Sequence, residues 1–111
     1  MEIIFVSEKA ASLFNSSKSL VREYGERRAK LIRRRLDDLR AAPNLEAMRN
    51  LPGRCHELHG TRAKQLAMDL DGGWRLVFEC ASTPLPLKAD GGLDWKAVYS
   101  IKILSVEDYH D

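Results

Sequence analysis

The amino-acid sequence predicts an α+β fold, in which an N-terminal strand and several helices pack on one face of a mostly antiparallel sheet. Helical patterns fill the first half of the chain and strand patterns fill the second half, while one short apolar strand precedes both. Runs of helices and strands that do not alternate are typical of α+β proteins. The length of 111 residues predicts a single domain, residues 1–111.

The chain is expected to begin with a strand, a short helix and a loop. Met1 to Val6 is rich in β-branched and aromatic residues, which favour a strand. Ser7 is a suitable N-cap for a helix from Glu8 to Phe14. The polar segment from Asn15 to Ser19 then predicts a loop.

The longest helix is predicted from Tyr24 to Ala42 and ends before Pro43, which disfavours helical geometry in the residue before it. Apolar residues recur in it at spacings of three and four and share one face: Ala29, Ile32, Leu36 and Leu39. Basic residues occupy its other faces: Arg27, Arg28, Lys30, Arg33, Arg34 and Arg35. This basic run is either a solvated face with intrahelical ion pairs or a surface for RNA phosphates or an acidic partner. For RNA contacts we single out Arg33 and Arg34.

Four strands are predicted in the second half, after a short helix from Leu45 to Asn50 and a turn. Apolar and polar residues alternate from Gln65 to Leu70 and from Trp74 to Glu79, and a shorter strand around His56 precedes them. The intervening Asp71-Gly72-Gly73 is a strong hairpin signal, because Asp and Gly tolerate positive φ.

The last strand is predicted from Trp95 to Leu104, after a loop from Ala81 to Asp94. A sheet of this kind has one apolar face against the helices and one open face that can present polar groups.

The composition points to a soluble cytoplasmic protein. The net charge of +2 does not by itself indicate nucleic acid, and the two cysteines have no metal-type spacing, so reduced thiols are expected. No signal peptide is recognisable, and no stretch approaches the roughly 20 apolar residues of a membrane span. Neither a metal motif, a phosphate-binding glycine loop nor a GxSxG elbow occurs, so no metal or cofactor is predicted.

The remaining candidates for chemistry are polar residues that the predicted sheet brings together: His56, His59, Arg62, Lys64, Arg75, Asp108, Tyr109 and His110. RNA is cut without a metal when its 2′-hydroxyl attacks the neighbouring phosphate, which needs a base, an acid and cations for the phosphorus centre. Histidine suits the first two roles and arginine the third. The alternative for each residue is structural: Arg75 can pair with Asp69 across the hairpin, and the C-terminal residues can be a frayed tail.

Four pieces of sequence, in this order, resemble the HigB branch of the RelE/ParE toxin superfamily, the toxin halves of bacterial type II toxin–antitoxin pairs. The pieces are Leu51-Pro52-Gly53, His56-Glu57-Leu58-His59-Gly60, Trp74-Arg75-Leu76-Val77-Phe78 and Glu107-Asp108-Tyr109-His110. The resemblance implies a RelE-like fold and a ribosome-dependent mRNA endonuclease that inhibits translation.

The resemblance also implies roles for individual residues. His56 and His110 are the acid/base candidates, Arg75 holds the scissile phosphate, and Asp108 and Tyr109 orient the RNA. His59 stands where the family often has a lysine. Apart from the resemblance, the basic connection that holds Arg62 and Lys64 is predicted to contact RNA.

The implied partners are a helix-turn-helix antitoxin of the HigA type, the ribosome and its message, and operator DNA only through the antitoxin. Two alternatives stay open. One is a ParE-like toxin that binds gyrase and cuts nothing, and the other is a degenerate toxin that acts as an operon corepressor.

Overall fold

The computed structural model describes residues 1–108 and shows a five-stranded sheet with helices on one face. The strands are β1 (Glu2–Phe5), β2 (His56–Glu57), β3 (Gln65–Asp69), β4 (Trp74–Cys80) and β5 (Ser100–Asp108). Their spatial order is β1-β5-β4-β3-β2, and only the β1–β5 pair is parallel. The predicted α+β class and the mostly antiparallel sheet are therefore confirmed.

Helix α1 (Glu8–Phe14) begins as predicted, because the Ser7 hydroxyl accepts the Ala10 N–H at 3.0 Å. The predicted loop after it is wrong for all but Asn15 and Ser16. Ser16 accepts the Ser19 N–H at 3.1 Å and thereby caps helix α2 (Ser17–Ala41), which starts seven residues earlier than expected.

Gly25 divides α2 close to the point where the sequence placed its start. Its backbone has φ 82° and ψ 164°, a conformation that residues other than glycine rarely adopt. Leu20, which follows the predicted loop, is fully buried, so the part of α2 before the kink contributes to the core. The basic run was also expected to face outward, yet Arg35 is buried.

A 3₁₀ turn at Leu45–Asn50 confirms the predicted short helix and its cap, since the Asn44 side chain accepts the Ala47 N–H at 3.2 Å. The main core lies between α2 and the sheet. Fully buried side chains from the two layers meet there: Ile32, Leu36, Leu39, Leu66, Met68, Leu76, Phe78, Ile101 and Ile103.

The prediction of a last strand from Trp95 to Leu104 is wrong at both ends. Trp95–Ala97 is a 3₁₀ turn, capped by Asp94, and it buries Trp95 and Val98 three positions apart rather than two. Strand β5 starts at Ser100 and continues to Asp108. Glu107 therefore belongs to the sheet and pairs with Arg75.

Arg28 fastens α2 to the hairpin between β3 and β4. Its guanidinium donates to both Asp71 carboxylate oxygens at 2.9 and 3.3 Å and lies 4.2 Å above the Trp74 ring. Burial is the largest single influence on Asp71 and raises the pKa of its carboxyl. The hydrogen bonds from Arg28 and from the backbone, together with the charges of Arg28 and Arg27, outweigh burial and hold this pKa below its ordinary value. The hairpin that carries Arg75 is thus held against the helical layer.

Candidate functional site

The sheet surface opposite the helices, which we call the open face, carries two adjacent rows of polar residues. Residues paired across strands point to the same side of a sheet. One row is Asp69, Arg75 and Glu107, and the next contains His56 and Ser105 on either side of Ala67 and Val77. The register therefore brings His56 and Arg75 to one surface, as the sequence pattern predicted.

The open face has a small core of its own, which the sequence analysis did not expect. Leu58, Ala67 and Val77 are buried there, and Leu104 packs against them. Leu104 reaches this position because the β4–β5 register shifts between Val77 and Phe78, which pair with Ser105 and Ile103 respectively. This patch lies between the row of Asp69, Arg75 and Glu107 and the strand end that bears Glu79.

His56 is half-buried, and its Nδ1 lies 2.7 Å from the carbonyl oxygen of Arg54. A carbonyl oxygen only accepts, so Nδ1 must carry the hydrogen of this bond. In the neutral ring the lone pair then resides on Nε2. That is the protonation state in which Nε2 can remove a proton from a hydroxyl.

Asp69 is shared by two arginines. Arg54 donates to both of its carboxylate oxygens at 2.8 and 3.2 Å, while Arg75 approaches more loosely, with Nε 3.4 Å from Oδ1. The structural alternative for Arg75, pairing with Asp69, is thus realised. The long distance shows that Arg54, rather than Arg75, is the principal partner of this carboxylate.

Arg62 and Glu107 form the tightest ion pair of the open face among the described residues. The two guanidinium nitrogens Nη1 and Nη2 each donate to a different Glu107 oxygen at 2.7 Å, and Arg62 Nε donates to Gln65 at 2.8 Å. The Arg62 hydrogen bonds hold the pKa of Glu107 below its ordinary value, against the effect of burial and with help from the Ser105 hydroxyl. Arg62, predicted to bind RNA, is engaged in a fork-to-fork bond with protein.

Lys64 and His59 flank the same connection. Lys64 adopts φ 76° and donates from Nζ to the Gly91 carbonyl at 3.3 Å, so it contacts the long loop between β4 and β5. His59 is exposed at the start of the 3₁₀ turn Gly60–Arg62 and makes no side-chain cap bond to it. The structure brings both to the β2–β3 side of the sheet.

Asp108 is the last described residue and lies opposite Trp74, at the exposed end of β5. Because successive side chains of a strand point to opposite faces, the Asp108 side chain leaves the strand on the face opposite to that of Glu107. Register alone therefore does not place Asp108 in the row of Arg75. Tyr109 and His110, the remaining predicted catalytic residues, lie outside the described residues.

Arg33 and Arg34 belong to the helical layer, across the core from the open face. Arg33 lines a shallow depression with Phe14, Asn15 and Arg40, and Arg34 is exposed. The structure does not bring these two arginines together with His56 and Arg75. The RNA contact predicted for Arg33 and Arg34 would therefore be on the helical layer and not on the open face.

Arg54 is the residue at the site that sequence reasoning missed. Its carbonyl contacts His56 and its side chain contacts Asp69. The sequence contains one clue to this role, a basic residue two positions before the histidine. An arginine in a turn is not specific, however, because many surface arginines occur in turns.

No group of three or more His, Cys, Asp or Glu side chains within residues 1–108 is arranged to hold a metal ion. Over the same range, no helix is both long and apolar enough to cross a bilayer. Cys55 and Cys80 are free thiols, and burial raises the pKa of Cys55 to about 12, so this cysteine is not a nucleophile at neutral pH.

The chain is similar in structure to a YoeB/ParE toxin from Agrobacterium tumefaciens. The two superpose with a TM-score of 0.60 over 99% of this chain and 100% of that chain, with 9% identical residues. At this identity the likeness shows a shared fold, that of RelE/ParE toxins. No protein-family model matches the sequence. No curated protein matches it either.

Proposed function

We propose that the chain is the toxin of a type II toxin–antitoxin pair of the HigB type and that it cleaves messenger RNA on the ribosome. The observation that carries the proposal is that His56 and Arg75 lie in adjacent rows of one sheet surface, with a backbone carbonyl bonded to the His56 Nδ1. The fold shared with a YoeB/ParE toxin and the four sequence pieces that resemble HigB toxins support it.

The proposed reaction is a transesterification in which the RNA 2′-hydroxyl attacks the adjacent phosphorus. His56 Nε2 takes the 2′-hydroxyl proton, the new O–P bond forms a 2′,3′-cyclic phosphate, and the 5′-oxygen leaves with a proton from His110. Asp108 and Tyr109 orient the RNA, and His59, Arg62 and Lys64 contact its backbone. No metal or cofactor takes part in this scheme.

Arg75 stabilises the crowded phosphate in this scheme. Its 3.4 Å contact with Asp69 is longer than a good charge-assisted hydrogen bond, and Arg54 keeps two shorter bonds to the same carboxylate. A phosphate oxygen can therefore replace Asp69 as the partner of Arg75 while Asp69 retains Arg54. Negative charge gained in the transition state strengthens this contact.

The proposal includes a helix-turn-helix antitoxin as partner and operator contact through that antitoxin alone. It also places the protein in the cytoplasm, where ribosomes are. The proposal further includes a second contact with RNA phosphates, at Arg33 and Arg34 on the helical layer.

One observation favours a reading without catalysis. Both terminal nitrogens of Arg62 are bonded to Glu107, and Arg75 also has a carboxylate partner, so the open face is less cationic than its arginines suggest. A ParE-like toxin that binds gyrase, or a corepressor that has lost activity, would tolerate such pairing.

Induced expression with primer extension on a reporter message separates these functions. Wild type, His56→Ala, His110→Ala and the exposed control Lys18→Ala are compared, with folding checked by circular dichroism. We expect growth arrest with in-frame cuts from wild type and Lys18→Ala, and neither from the two histidine variants. Arrest with intact messages would contradict the nuclease and favour a gyrase-type toxin, and no arrest from folded wild type would favour a corepressor.

A further inference from the structure

Arg54 has a backbone conformation that its residue type disfavours. Its φ is 48°, in the left-handed region, and Lys64 is the other residue with a positive φ among the non-glycine residues of the described chain. The Cβ atom of an L-residue crowds the backbone in this region, so a specific set of contacts has to hold it there.

The segment before His56 is attached to β3 at two points, both on Asp69. The Gly53 carbonyl accepts the Asp69 N–H at 2.7 Å, and the Arg54 guanidinium holds the Asp69 carboxylate with two hydrogen bonds. Gly53 also packs tightly, since a Cβ built on it would lie 2.6 Å from Nε of the buried Arg35. The chain is therefore restrained at Gly53 by its backbone and at Arg54 by its side chain.

The conformation of Arg54 determines where its carbonyl points. The oxygen lies 2.7 Å from Nδ1 of His56, two residues along the chain. An extended conformation at Arg54 would rotate the peptide planes beside it and turn the carbonyl away from the imidazole. The hydrogen bond to His56 thus depends on the left-handed turn.

We propose that Arg54 is a positioning residue, whose side-chain clamp on Asp69 maintains a left-handed backbone and thereby keeps the neutral imidazole of His56 as the Nδ1–H tautomer. The lone pair of Nε2 then remains directed away from the turn. This inference rests on the proposed function for its catalytic consequence only, because the tautomer itself is a property of the folded protein.

The matched test is the ¹⁵N spectrum of histidine-labelled protein at about pH 8.5, where an ordinary histidine is neutral. Nitrogens with and without a proton have well-separated shifts, so the tautomer of His56 is read directly. His56→Gln assigns the signals. In wild type we expect a protonated Nδ1 and an unprotonated Nε2 on His56, and an Nε2–H majority would overturn the proposal.

Arg54→Ala should convert His56 into a mixture of both tautomers, with at least a several-fold rise in the Nε2–H fraction. Arg54→Lys, which keeps a charge but not the two-point clamp, should lie between, and Arg40→Ala should match wild type. Arg40 is a suitable control because it is exposed on α2 and pairs with Asp37, in the layer across the core from His56. An Arg54→Ala spectrum identical to that of wild type would overturn the proposal. If this variant does not fold, Arg54→Lys and the wild-type spectrum still decide it.

The inference about the His56 tautomer and the proposed nuclease function can be contradicted independently of each other. A folded chain that cuts no RNA but shows Arg54-dependent tautomers would remove the proposed function and leave the inference standing. A nuclease whose His56 tautomer ignores Arg54→Ala would do the reverse. If the protein cleaves RNA and the spectra are as expected, Arg54→Ala should lower kcat in proportion to the fraction of His56 that is present as the Nε2–H tautomer.

Discussion

Asp69 and Glu107 are the carboxylates to which the arginines of the open face are bonded. Each carboxylate is opposite Arg75 in the register, Asp69 on β3 and Glu107 on β5, and each takes its strongest bonds from another arginine, Arg54 or Arg62. Arg75 is thus held between two acids, with a loose ion pair to Asp69. A cation of this kind can exchange a carboxylate for a phosphate without leaving the acid unpaired.

Arg75→Ala should reduce cleavage roughly 10²-fold, because one preorganised donor to the phosphorus centre is lost. Stability should change little, since Arg54 still pairs with Asp69. Single-turnover cleavage on programmed ribosomes measures the effect, with Arg75→Lys as the matched variant that keeps the charge but not the fork. An unchanged rate in Arg75→Ala would assign this arginine to a purely structural pair.

Glu107 predicts a pH dependence of stability. Its pKa in the folded state lies below the ordinary value because Arg62 donates two hydrogen bonds to the carboxylate. The ionised form is therefore stabilised by folding, and this contribution is present above the unfolded pKa and is lost as pH falls through the folded pKa.

Glu107→Gln should accordingly flatten the fall in unfolding free energy as pH drops from about 5 to about 3, a range that starts just above the ordinary glutamate pKa of about 4.3 and continues below it. Urea titrations across this range measure the difference from wild type, with the exposed Glu2→Gln on β1 as control. Parallel curves for wild type and Glu107→Gln would contradict the assigned role of the Arg62 pair.

Individual residues also mark the limit of what the sequence could predict at the site. Alternation placed Arg75 on the open face, and the predicted sheet brought His56 to the same surface, in agreement with the observed register. Arg54 and Arg35 were not predicted, because burial of a guanidinium or a left-handed turn depends on contacts between distant segments. Arg35, for instance, donates to the carbonyl of Asp69 from the other layer.

Among the elements, those with clear caps or strict alternation were predictable: α1, the 3₁₀ turn at Leu45–Asn50, β3 and β4. The errors arose where one residue overrides its neighbours. Ser16 starts a helix inside a polar run, and Asp94 caps a 3₁₀ turn where alternation indicated a strand. The resulting shift of β5 brings Glu107 into the sheet.

Gly25 is the element-level position at which substitution is most informative. Its φ and ψ lie in a region almost restricted to glycine, while an added Cβ would meet no atom within 4 Å. Gly25→Ala should therefore destabilise the fold by roughly 1–3 kcal/mol through backbone strain alone. Urea unfolding measures it against Ser12→Ala, an exposed position in α1 expected to stay within about 0.5 kcal/mol.

A stability of Gly25→Ala equal to that of wild type would show that the two parts of α2 can join without the kink. The Tyr24 ring beside it packs edge-on against Trp74 at 6.2 Å. Burial raises the pKa of the Tyr24 hydroxyl. The kink thus sits where α2 meets the hairpin that presents Arg75.

At the scale of the whole molecule, the main core and the candidate site lie on opposite faces of the sheet. The helices and one sheet face enclose the main core, and the opposite face carries the arginine–carboxylate pairs, His56 and the small apolar patch. Substitutions of polar residues on the open face therefore leave the main core intact, while its ion pairs contribute to stability. This arrangement also leaves the basic surface of α2, including Arg33 and Arg34, for contacts independent of the proposed cleavage site.

The end groups of a message cut on purified ribosomes test the proposed reaction at its chemical step. Attack by the 2′-hydroxyl predicts a 2′,3′-cyclic phosphate on the upstream fragment and a 5′-hydroxyl on the downstream one, both absent with His56→Ala. A 5′-phosphate and a 3′-hydroxyl would mean that water is the nucleophile, which contradicts the assignment of His56 as the base for the 2′-hydroxyl.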